Sequence, residues 1–202
     1  DPLLRAHGDD VQRFGFRRLH SDGEYLLLNG QPISLRGILN WGWNPAVIAP
    51  RYTSDQVRTE MRQLRALGFN LIKLCLFVPN QVYYDIADEE GMLLWQEWPM
   101  WMPDVTDELR TRAPVEYGHY MQLTRHHPSV VVYSLGCELD HHVDRPLLHQ
   151  LDATIRNATE NVLFCDNRRL NENLLVGTVP ALDNVPDLRI LYVLWCQGRL
   201  PT

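Results

Sequence analysis

Apolar positions along this chain follow two alternating spacings. Short, nearly continuous runs, LIKLCLFV from Leu71, MLLW from Met92, VVVYSLG from Val130 and VLFC from Val162, show little polar alternation. Runs of that kind suit strands covered on both faces, as in parallel sheets. Between them, apolar residues recur every three or four positions. Val57, Met61, Leu64 and Leu67 predict a helix over TSDQVRTEMRQLRALG. Thr53 and Gln56 have capping-box spacing, and Gly68 is placed to end the helix in a left-handed conformation. QVYYDIADEEG predicts a second helix ended by Gly91, and PVEYGHYMQLTRHH a third stopped before Pro128. RPLLHQLDATIRNA predicts a fourth, with Leu147, Leu148, Leu151, Ile155 and Ala158 on one face.

Upstream, RFGFRRL reads as extended. In EYLLLNGQPISLRG the pair Asn29-Gly30 separates two apolar runs and predicts a hairpin, since both residues accept positive φ at little cost. With ISLRGIL as the first strand, strand and helix alternate at a repeat of about thirty residues, the pattern of βαβ units and a parallel sheet. Five strands fall within about 135 residues, whereas a closed eight-stranded barrel takes about 250. The expected fold class is α/β, and a barrel, if formed, would be partial, holding about the first five βα units. Beyond Asn167 the pattern degrades. LRILYVLWC from Leu188 is a candidate sixth strand, and the stretch as a whole reads either as an irregular connection or as sequence foreign to the fold.

Composition narrows the function classes. The chain is 45% hydrophobic and 22% charged, enough apolar surface for a substantial core. Its formal net charge of -6, with no local Lys/Arg block, argues against nucleic acid as a partner. No stretch approaches the roughly 18 apolar residues of a membrane span. The sequence opens on Asp1 without a charged-then-apolar leader, so the natural start is expected upstream. Cys75, Cys137, Cys165 and Cys196 are widely spaced and form no CxxC pair, which favours reduced, partly buried thiols over a disulfide framework or zinc site. No GxGxxG or Walker-type stretch follows any strand, and no cofactor is expected.

In parallel α/β architectures, ligand sites gather at the carboxyl ends of the strands. Asn40, Trp41 and Trp43 follow the first apolar run, and Lys73, Phe77 and Asn80 lie within or after the second. Gln96, Glu97, Trp98 and Trp101 follow the third; Cys137, Glu138, Asp140 and His141 the fourth; Asp166 and Asn167 the fifth. Indole faces pack on the CH faces of a pyranose while carboxylates and amides take its hydroxyls, so the mixture suits a carbohydrate substrate. The cluster Glu138, Asp140, His141 and His142 lacks an HExxH pattern or a second ligand set, and no metal site is expected.

FGFRRL, LLLNGQPISLRGILN, YYDIADEEGMLLWQEWP and RHHPSVVVYSLGCE, in that order and spacing, resemble the start and first four strands of the catalytic barrel of family 2 glycoside hydrolases. That group includes β-galactosidases, β-glucuronidases and β-mannosidases, and the match runs from about Arg13 to Asn167. The resemblance implies a (β/α)8 barrel preceded by β-sandwich domains. Residues 1–22 would then be a linker or the last strand of such a sandwich, 23–167 the first part of the barrel, and 168–202 the unassigned tail. It further implies that Glu138 is the general acid/base of a retaining β-glycosidase. The nucleophilic Glu, which belongs to a seventh strand, is missing from this chain. A retaining mechanism uses two carboxyls about 5 to 5.5 Å apart. The alternative is an inactive fragment or a carbohydrate-binding remnant.

This sequence departs from the family at three places. Cys137 stands where the family places an Asn that binds the sugar 2-hydroxyl, and Lys73 where it has an Arg, keeping the charge and losing the planar fork. The region of Trp41 and Trp43 replaces a histidine of the β-galactosidases, so no galactose preference is carried over. Cys137, Lys73, Asn40, Trp41, Trp43, Glu97, Trp98, Asp140 and His141 make up the expected substrate-binding set. Structural readings stand beside it: Trp43, Trp98 and Trp101 also suit core packing, Glu97 a structural hydrogen bond, and Lys73 a buried pair with a carboxylate. His126 and His127, at a helix end, are explained by the helix dipole or by exposure.

Overall fold

The computed structural model describes residues 13–22, 25–42, 52–139 and 145–165. Three short strands come first: β1 (Leu19–Asp22), β2 (Tyr25–Leu28) and β3 (Gln31–Pro32) form an antiparallel meander. Strand and helix then alternate through β4 (Gly37–Asn40), α1 (Ser54–Ala66), β5 (Leu71–Leu74), α2 (Gln81–Glu90) and β6 (Leu93–Glu97). α3 (Asp107–Thr124), β7 (Val130–Ser134), α4 (Arg145–Ala158) and β8 (Leu163–Cys165) complete the described elements.

Strands β4 to β8 make one parallel sheet in sequential order. A doubly wound sheet reverses its strand order at a switch point; this one does not, and it is compatible with an arc of a (β/α)8 barrel. One face carries Ile72, Leu74, Leu94, Val130, Tyr133 and Phe164 into the core shared with the four helices. On the other face, Leu71, Trp95, Val131, Val132 and Leu163 pack with Leu19, Leu26 and Leu35. The meander therefore closes the amino ends of the strands. Arg17 Nε donates to the Val130 carbonyl at 2.7 Å and the Leu19 N–H to that of Asn161 at 3.1 Å.

The local signals operate as the residues dictate. The Thr53 hydroxyl accepts from the Gln56 N–H at 3.3 Å while the Gln56 side chain takes the Thr53 N–H at 3.0 Å, which satisfies two otherwise orphaned donors at the start of α1. Gly68 (φ 90°) and Gly91 (φ 67°) adopt the left-handed region after α1 and α2, and Asn29 (φ 52°) with Gly30 (φ 79°) makes the β2–β3 turn.

Two features differ from the expectation. The strands are shorter than the apolar runs. LIKLCLFV leaves the sheet after Leu74, where Leu76 at φ 57° redirects the chain, and ISLRGIL enters it only at Gly37. α3 starts at Asp107, well before Pro114, because the Thr106 hydroxyl caps it by accepting from the Leu109 N–H at 3.1 Å. Pro114 then sits inside the helix, removing one intrahelical hydrogen bond, while Arg112 bridges Glu108 and Glu116, each at 2.9 Å, along the exposed face. Leu19 of β1 pairs with Leu28 of β2, so the meander joins residues on either side of residue 22. The candidate sixth strand and the rest of 168–202 lie outside the described residues.

His127 corrects a further reading, for it is neither exposed nor a simple dipole partner. It is 2% exposed, its Nδ1 lies 2.6 Å from Asp88 Oδ2, and its ring stacks on Tyr84. Asp88 Oδ1 also accepts the Ser129 N–H at 2.9 Å, so one carboxylate fastens α2 to the turn that launches β7. Replacing Asp88 with Ala strands two buried polar partners, and unpaired groups of that kind cost about 1–3 kcal/mol each. Urea unfolding of Asp88→Ala is expected to show a midpoint clearly below that of the unchanged chain; equal midpoints would refute the fastening role.

Candidate active site

The carboxyl ends of β4 to β7 share one rim, and the sheet's inner face leads up to it. On that face Glu97, the last residue of β6, forms an ion pair with Lys73 of β5, Nζ to Oε2 at 2.6 Å, with both side chains buried. The ammonium also sits 4.8 Å from the Trp95 ring centroid. Burial lowers the Lys73 pKa, but the attraction of Glu97, with smaller contributions from Cys75 and Cys137, outweighs it, so the ammonium stays charged above the usual lysine range. Burial pushes the Cys75 thiol up, against the pull of Lys73, and it is held as a thiol. Trp95 Nε1 donates to the Ser134 hydroxyl of β7, extending this polar layer across three strands.

Above the layer, the segments that follow β6 and β7 remain zipped together. The Trp98 N–H donates to the Ser134 carbonyl at 3.2 Å and the Cys137 N–H to that of Met100 at 2.9 Å, with Trp101 and Cys137 in parallel bridge register. Gly136 permits this approach, since a Cβ there would lie 2.3 Å from the Met100 carbonyl oxygen. Glu138 follows at φ 50°, exposed, and its Oε2 accepts from the indole Nε1–H of Trp101 at 2.8 Å.

The sequence-predicted residues divide accordingly. Cys137, half-buried, and Glu138 stand together at the end of β7, and Trp41, 48% exposed, lies at the end of β4. Lys73 and Glu97 are buried and engage each other. Two residues are corrected. Asn40 turns into the helix layer: its Nδ2 contacts Glu60 Oε1 and the Tyr83 hydroxyl, both at 3.0 Å, and its Oδ1 takes the Gly42 N–H at 2.8 Å, so the amide is occupied by the fold. Trp98 is fully buried, stacked on Tyr120 at 4.8 Å and on Tyr133 at 5.7 Å, and is a core residue. Trp43, Asp140 and His141 lie outside the described residues.

Trp101, Trp95, Ser134 and Cys75 enter the site without having been assigned to it. Trp101 was legible as a strand-end aromatic, but its partner is set by the pairing of two loop segments, which leaves no periodic trace. Trp95 and Ser134 belong to apolar runs and are marked only by facing inward one strand apart. Among the described residues, no group of three or more His, Cys, Asp or Glu side chains is arranged to hold a metal, and no helix is long and apolar enough to cross a membrane.

No protein-family model matches the chain. A Formosa agariphila protein that carries the name β-glucuronidase is 28% identical over 139 residues, covering 62% of this chain and 13% of that protein. The β-galactosidase of Photobacterium profundum is 24% identical over 151 residues, 69% of this chain and 15% of the enzyme. In the crystal structure of Parabacteroides merdae β-glucuronidase, a region covering 76% of this chain and 20% of the enzyme superimposes with a TM-score of 0.67 at 26% identity. The chain thus spans a small fraction of the length of the relatives it matches. Over that segment it is a homologue of β-glucuronidases and β-galactosidases, a relative of the family 2 glycoside hydrolases.

Proposed function

We propose that this chain is part of the catalytic barrel of a retaining β-glycosidase in which Glu138 is the general acid/base. The carrying observation is an exposed carboxylate at the carboxyl end of β7, beside an indole N–H and above a buried polar layer. In this reading the five parallel strands are an arc of a (β/α)8 barrel. Glu138 protonates the departing glycosidic oxygen and then takes a proton from the attacking water. Cys137 faces the sugar 2-hydroxyl, and Trp41 offers an apolar face to the ring. In the same reading Trp43, Asp140 and His141, which lie outside the described residues, contribute further substrate contacts. The Lys73–Glu97 pair supports the floor from below. The names of the relatives point to β-linked glucuronides or galactosides as the substrate class.

A retaining site needs a second carboxylate, and Glu97 does not qualify, because it is buried and held by Lys73. The nucleophile therefore has to come from outside the described residues. This favours a second reading for the 202-residue chain by itself, sugar binding without turnover.

Two variants test the assignment. Aryl β-glycosides with poor leaving groups are offered to the chain and to the longest reading frame that contains it. Where turnover is found, Glu138→Gln is expected to lower kcat by about 10²–10⁴, the usual contribution of a general acid, and unchanged turnover would refute the role of Glu138. Cys137→Asn, which supplies an amide toward the 2-hydroxyl, is expected to keep or raise kcat/KM; a loss of tenfold or more would show that this side chain does not face the sugar.

A further inference from the structure

We infer that Trp101 is the positioning residue of Glu138, its indole N–H holding Oε2 so that Oε1 is the oxygen left to exchange a proton with a ligand. The catalytic meaning of this contact rests on the acid/base reading of Glu138; the contact itself does not.

Four observations carry it. The Nε1–Oε2 distance is 2.8 Å, a full hydrogen bond to a carboxyl oxygen. The contact is built into the backbone. The Cys137 N–H to Met100 carbonyl bond and the Trp101–Cys137 bridge fix the relative height of the two segments, and Gly136 is needed for their approach. Trp101 is 57% exposed, so core packing does not account for its place, in contrast to Trp98, which is fully buried. Lastly, Glu138 occupies the left-handed region at φ 50°, an unfavourable conformation for a residue with a Cβ, and the chain there is tied on both sides, by the Cys137 N–H and by the carboxyl group.

The choice of donor has chemical consequences. An indole N–H donates and cannot accept, and it carries no charge and no proton that leaves in the working range. Oε2 is therefore always presented with a donor, and a proton on the carboxyl is directed to Oε1. A lysine or arginine in that place would add a full positive charge and oppose protonation far more strongly. An asparagine could turn its carbonyl to the carboxyl and reverse the polarity. Trp101 thereby orients the acid without abolishing its capacity to carry a proton.

The test reads the pair without substrate, so it stands or falls separately from the turnover assay. The chain contains six tryptophans, and their indole N–H signals are to be followed in a nitrogen-15 correlation spectrum of the labelled protein. Trp101→Phe identifies the signal of interest by its loss. In Glu138→Gln that signal is expected upfield of its position in the unchanged chain, because the substitution replaces a carboxyl acceptor with a weaker, neutral amide. Should Trp101→Phe fail to fold, the signal is identified as the one displaced between the unchanged chain and Glu138→Gln. A Trp101 signal left in place by Glu138→Gln, or no indole signal displaced by that substitution, would overturn the inference.

Discussion

Parallel strands buried on both faces leave the chain only one kind of place to meet a ligand, the strand ends. Four helices cover one face of the β4–β8 sheet and the N-terminal meander closes the amino end of the other. Every strand residue of β5 and β7 is buried, so a polar group inside them must find its partner there. Lys73 and Glu97 obey that constraint by pairing with each other, Trp95 and Ser134 by a hydrogen bond. Removing one member of a buried ion pair generally costs about 3–5 kcal/mol, since the remaining charge is left uncompensated. The layer is thus fixed by its own partners, and in the proposed reading the exposed residues beyond it are the ones that meet the sugar.

The same constraint explains what the sequence conveyed. The helix caps, the Asn29-Gly30 turn and the five strands follow from local chemistry: a hydroxyl three positions from the donor it satisfies, a residue that tolerates positive φ, an unbroken apolar run. Lys73 was legible as a paired charge because an ammonium in such a run has no other affordable state. Side-chain direction at the rim was not legible. Asn40, Trp41, Trp98 and Trp101 are all polar or aromatic residues near strand ends, yet Asn40 and Trp98 turn into the helix layer while Trp41 and Trp101 face solvent. Strand alternation assigns faces only while the strand lasts, and Trp41, Trp98 and Trp101 follow its end. For Asn40, the last residue of β4, the deciding partners Glu60 and Tyr83 come from two different helices.

The departures from the family pattern act together at the floor. An arginine facing a carboxylate engages two oxygens with a planar fork, whereas the Lys73 ammonium is a point charge with three rotatable donors. It serves Glu97 at close range and feels both Cys75 and Cys137. Smaller, softer side chains therefore surround a more compact cation. Thiols are weaker hydrogen-bond partners than amides or hydroxyls, so under the proposed function the polar hold on a ligand would fall more heavily on Glu138 and on the aromatic faces.

Glu138 stands where that burden is met with backbone strain. A non-glycine residue in the left-handed region costs of order 1–3 kcal/mol and persists only where its surroundings determine it. Here the determinants are on adjacent atoms: the Cys137 N–H on the Met100 carbonyl before it, buried Leu139 after it, and the Trp101 indole on its own carboxyl. Turning the backbone at Glu138 lets the chain leave the line of β7, lodge Leu139 in the helix-side core beside Gly136, and still present a carboxyl at the rim. An extended residue would continue the strand's alternation and would not place Leu139 and the carboxyl in the same relation. The strain is thus the geometric cost of changing direction within one residue of the proposed chemistry, and the apolar anchor that follows supplies the energy to hold it.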